Sequence, residues 1–77
     1  MKNTIDNIEE ANFVILSLIR KLYVLCQKSS AEDAEIYRKK IHQLQKDLKH
    51  LDNPQVFSKV QNTYIPYLQQ LTETENE

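Results

Sequence analysis

Residues 31–51 read AEDAEIYRKKIHQLQKDLKHL, and their periodicity decides the fold class. Ala34, Tyr37, Ile41, Leu44, Leu48 and Leu51 recur at alternating steps of three and four. At 3.6 residues per turn that spacing lays all six on one stripe of an α-helix. Ser29, with Glu32 three residues later, forms a capping-box pattern at the start. A helix over about 31–51 follows.

Working outward, the segment from about 4 to 28 carries a similar seam through Ile5, Ile8, Asn12, Ile15, Ile19, Leu22 and Cys26, with Asn12 its one polar interruption. Ala11, Leu16, Leu18, Tyr23 and Leu25 flank the seam and widen it. Asn3 or Thr4 can cap this helix, and Asp6, Glu9 and Glu10 suit the positive end of its dipole. Phe13-Val14-Ile15-Leu16 alone could form a strand, but no turn residue bounds it. On the other side, Asn53 fits an N-cap and Pro54 the first helical position. Phe57, Val60, Tyr64, Tyr67 and Leu71 continue the three-four spacing over about 54–71, with a kink or break expected near Pro66. Residues 72–77 are polar and acidic, which predicts a frayed, disordered tail. Short connections make neighbouring helices antiparallel. The prediction is one all-α domain over 1–77, an up-down-up bundle of three helices with the first most buried, and room for a short fourth element after Pro66.

Composition narrows the chemistry. Glycine is absent from all 77 residues. Phosphate-cradling loops, dinucleotide fingerprints and nucleophile elbows all depend on it, which argues against most nucleotide enzymes. Ten basic and eleven acidic side chains leave a net charge of −1, with nothing to draw nucleic acid or anionic membrane from a distance. The first residues carry no secretory pattern, and the apolar run Ala11 to Ile19 is too short to span a bilayer. Cys26 is the only cysteine, which excludes an internal disulfide and fits a reducing compartment. A soluble, cytoplasmic protein with no transmembrane segment is expected.

Candidate chemical groups do not assemble into a site. His42 and His50 lie eight residues apart, roughly 12 Å along a helix, whereas two ligands to one metal need a spacing of three or four. Cys26 sits on the seam, where burial is expected instead of an electropositive cleft. The acidic clusters Asp6, Glu9, Glu10 and Glu32, Asp33, Glu35 fall near helix starts, where the dipole favours them, and Asp47 and Asp52 are isolated. The only arginines, Arg20 and Arg38, lie off the seams. No catalytic residue, cofactor or metal is expected, and the chain reads as a binding protein, not an enzyme.

Two surfaces are candidates for a partner. Lys39, His42, Lys46 and Lys49, with Arg38 beside them, line the face of helix 2 opposite its seam. They form a strip for an acidic protein partner or a phosphate backbone, or else an ordinary solvated face. On helix 1, Phe13, Val14 and Val24 fall on the side that should meet water, among Ser17, Arg20, Lys21 and Gln27. Such a patch marks a protein partner or self-association, unless the segment after Pro66 folds back to cover it.

The stretch from Leu18 to Leu68 resembles the core of the immunity proteins that protect Gram-positive bacteria from their own pediocin-like bacteriocins. The likeness runs through Ile19-Arg20-Lys21-Leu22-Tyr23, the acidic connector Ser30 to Glu35, then Ile41, Leu44 and Leu48, and Asn53-Pro54 leading to Tyr64 and Tyr67-Leu68. The resemblance implies an antiparallel four-helix bundle in the bacterial cytosol. It also implies a partner, the toxin's membrane receptor complex (a mannose phosphotransferase permease), reached from the cytosolic side. The alternative reading is a homodimerising adaptor, regulatory module or secretion co-chaperone that uses helix 1 as its interface.

Overall fold

The computed structural model describes residues 5–75 and is all-α. Helix α1 spans Ile8–Lys28, α2 Ala31–Leu48 and α3 Pro54–Lys59. A π-helical turn, Val60–Tyr64, joins α3 to α4, Ile65–Glu75. Val60 and Ile65, the residues at the two junctions, keep ordinary helical dihedrals, so α3, the π turn and α4 form one continuous third helix. The bundle therefore has three helices, and among the described residues no fourth one packs beside them, unlike the four that the family resemblance implied.

The termini of each helix follow from local hydrogen bonding. Asn7, not Asn3 or Thr4, caps α1: its side chain accepts from the Glu10 N–H at 2.9 Å. Asn3 and Thr4 lie outside the described residues. Glu10 completes the cap by accepting from the Asp6 N–H at 2.9 Å, which explains a start later than residue 4. Ser30, and not Ser29, caps α2, accepting from the Asp33 N–H at 3.3 Å. The Ser29 hydroxyl instead donates back to the Leu25 carbonyl at 2.6 Å and closes α1. Helix α2 stops at Leu48, three residues short of expectation, yet Leu51 is buried from the connecting turn. Asn53 caps α3 through the Gln55 N–H at 2.9 Å, with Pro54 in its first turn as expected.

Pro66 neither splits the third helix nor ends it. The Ile65 N–H reaches back to the Val60 carbonyl, a five-residue step in place of four. Widening the turn just before Pro66 makes room for a ring that would collide with the carbonyl four residues earlier in a regular helix. The helix then runs to Glu75, so residues 72–75 of the expected frayed tail are helical. The Thr72 hydroxyl donates to the Leu68 carbonyl at 2.9 Å there. Residues 76–77 lie outside the described residues.

Helix α1 is the centre of the molecule, packing against α2 on one flank and against the π turn and α4 on the other. Ile15, Leu18, Leu22 and Val60 are its fully buried large side chains, joined by Leu44, Ile65 and Leu68. The Ile5 N–H donates to Gln61 Oε1 at 2.8 Å, fixing the segment before α1 to the third helix. Backbone contact between α2 and the third helix is sparse. The Cα envelope is accordingly flattened, 36 × 27 × 16 Å, and one side of α1 is left without a neighbour.

Candidate functional site

The inward stripe of α1 is Ala11, Val14, Ile15, Leu18 and Leu22. It is rotated by roughly 60° from the seam read in the sequence, taking 100° per residue. Rotation moves Val14 into the core at 9% exposure, so its assignment to the outer patch is corrected. It also turns Leu16 and Tyr23, expected beside the seam, outward to 48% and 59% exposure. Phe13, at 70%, and Val24, at 40%, stay exposed as the sequence predicts. Helix α4 lies against α1 but does not cover these two side chains.

Phe13, Leu16, Tyr23 and Val24 thus lie on one outer face of α1, interrupted by exposed Arg20. Phe13, Leu16, Ser17, Arg20 and Lys21 line a shallow hollow of about 400 Å³ on this face. Exposed Glu9 stands at the N-terminal end, and exposed Gln27 and Lys28 at the C-terminal end. The face therefore carries an acidic side chain at one end, a basic one at the other, and between them apolar side chains broken by Arg20. Exposed apolar side chains scattered singly need no explanation, whereas here four share one helix face.

Lys39, His42, Lys46 and Lys49 are all exposed on or just after α2, as expected of a strip opposite its seam. None of them lines the α1 hollow. Arg38 meets Glu35 at 4.0 Å with both side chains more than half exposed, a contact of little energetic weight.

A polar cluster that the sequence reading missed joins α2 to the third helix. Asp47, treated there as isolated, is 6% exposed and accepts hydrogen bonds from the Tyr64 hydroxyl, from Lys59 Nζ at 3.1 Å and from Gln43 Nε2 at 3.1 Å. Burial acts to raise the Asp47 pKa, but the Tyr64 and Lys59 hydrogen bonds, the Lys59 charge and Gln43 outweigh it and hold the carboxyl below its usual 3.8. Burial acts to lower the Lys59 pKa, and contact with Tyr64 and Asp47 raises it above 10.5. Tyr64 is pushed above 10.0 by burial and by donating to the carboxylate. Lys59 also stands 5.4 Å from the Tyr64 ring centroid, and Lys40 5.3 Å from that of Tyr67. These pairs show that α2 and the third helix run antiparallel, since Asp47 meets Tyr64 where Lys40 meets Tyr67. The available signal was Tyr64 itself: a tyrosine on a seam needs a partner for its hydroxyl.

Cys26 is partly buried, and its thiol donates to the Ala34 carbonyl at 3.6 Å across the α1–α2 turn. Among the described residues no three metal-ligating side chains gather, and no helix is long and apolar enough to cross a membrane. Comparisons with protein-family models, curated proteins and solved structures returned no match.

Proposed function

We propose that this chain is a non-catalytic binding protein whose working surface is the outer face of α1, and that it acts as a bacteriocin immunity-type protein. The observation that carries the binding reading is the placement of Phe13, Leu16 and Tyr23 on the uncovered side of the most buried helix. Large apolar and aromatic side chains in water are the groups that gain most from a partner, each about 1.5–3 kcal/mol when fully buried. The finer reading rests on the resemblance between Leu18 and Leu68, and its partner would be the receptor complex engaged from the cytosol. Of the resembling residues, Arg20 and Tyr23 lie on the exposed face itself.

The test is a survival assay. A bacterium sensitive to a pediocin-like bacteriocin is made to express the chain, beside a Phe13→Asp/Tyr23→Asp variant at equal abundance. Survival with the parent chain and killing with the variant is expected. Killing in both overturns the immunity reading, and survival in both moves the working surface away from α1.

A further inference from the structure

We infer that the outer face of α1 is self-complementary and closes on a second copy of this chain in an antiparallel, two-fold arrangement. The inference rests on the reading of this face as a docking surface and names its occupant.

The argument starts from charge order along the helix. Glu9 stands near one end of the exposed face and Lys28 at the other, roughly 28 Å apart at 1.5 Å per residue. In a parallel pair each Glu9 would oppose Glu9, and each Arg20 would oppose Arg20, like charge on like. In an antiparallel pair Glu9 comes opposite Gln27 and within reach of Lys28 of the second copy. The two helix dipoles also then run in opposite directions. A two-fold interface must use the same patch on both copies, and this patch carries both halves of each contact.

The apolar residues obey the same symmetry. Turning one copy end over end about a point between Leu16 and Arg20 sets Phe13 against Tyr23. The two most exposed aromatics of α1 then meet each other twice, an arrangement that favours edge-to-face ring contact. Arg20 falls opposite Leu16, where its aliphatic stem covers the leucine and its guanidinium reaches the rim beside the Phe13 ring of the second copy.

Size sets the strength. One face of α1 offers roughly 31 Å by 11 Å, well under the ~800 Å² per partner of a standard interface. The pairing is therefore reversible, and another partner presenting a similar helix can displace the second copy.

Sedimentation velocity across a concentration series tests this directly. The parent chain is expected to pass from monomer to dimer, and Phe13→Asp/Tyr23→Asp to stay monomeric with unchanged helix content. Glu9→Lys should weaken the dimer about three- to ten-fold, and Glu9→Lys with Lys28→Glu should restore it. Orientation is read by cross-linking in a Cys26→Ser background. A mixture of Leu16→Cys and Arg20→Cys chains should form a disulfide-linked heterodimer, whereas cross-linking of Leu16→Cys to itself alone marks a parallel pair and overturns the proposal. A parent chain that stays monomeric at about 1 mM also overturns it. If that monomer still protects cells and the face variant does not, only the self-association fails. If the dimer forms but its loss leaves protection untouched, the reading of this face as the protective surface fails instead.

Discussion

Asp47 is the residue on which the junction of α2 with the third helix turns. A buried carboxylate is costly unless its oxygens are fully paired, and here three donors converge on them. Asp47→Ala leaves the Tyr64 hydroxyl without its acceptor, and a stranded buried donor costs about 1–3 kcal/mol. Lys59 contributes less, since its side chain is 41% exposed and water takes up the lost contact. The pH dependence follows from the direction of each shift. Asp47 is held below 3.8, so its contribution is complete above that value and fades as pH falls through the depressed one. Lys59 and Tyr64 are raised, so their contributions hold below 10.5 and 10.0 and fade as pH rises through the folded-state values. Urea midpoints at pH 7 and pH 3 should therefore differ more for the parent chain than for Asp47→Ala. Equal acid losses in the two would assign the effect to other carboxylates.

At the level of elements, the apolar stripe of the second helix was legible, though not its cap, its end or the burial of Asp47, and that of the first only in part. Ala34, Ile41, Leu44 and Leu51 are buried, with Tyr37 and Leu48 packed beside them, because the apolar residues of α2 form a single stripe. Helix α1 has neighbours on two flanks, and its sequence is apolar around more than half the circumference. Several seams fit such a sequence equally well, and only the partners choose among them. Leu18→Ala should consequently cost about 2–5 kcal/mol, the range for a buried leucine, while Leu16→Ala should stay within about 0.5 kcal/mol or slightly above. Equal costs in denaturant melts would mean that α1 is not rotated as described. The same pair on α2, Leu44→Ala against Lys46→Ala, should split in the same way. In the third helix the π turn adds a residue to one turn and shifts the phase beyond it. Ile65 and Leu68 become the buried residues there, while Tyr67 and Leu71, the expected ones, are partly buried. A regular three-four reading has no means of anticipating that extra residue. The exposed apolar face was legible through Phe13 and Val24, while Leu16 and Tyr23 were expected beside the seam and lie outward instead.

For the molecule as a whole, a chain of 77 residues buries only a modest core, and its stability margin is correspondingly narrow. The flattened shape spends that core on the two flanks of α1 and leaves its third side to solvent. Adjacent residues on this one helix should then respond oppositely to the same change. Phe13→Asp with Val24→Asp places carboxylates where side chains are already 70% and 40% exposed, so the variant should keep its helix content and its melting temperature within a few degrees. Val14→Asp puts an unpaired carboxylate among the core residues around Ile15 and Leu18, and that single change should unfold most of the population. Circular dichroism melts of the two variants beside the parent chain give the answer. If the double variant unfolds, the face belongs to an obligate assembly whose monomer does not fold alone. If Val14→Asp melts like the parent chain, the core of α1 lies elsewhere, and the outer face with it.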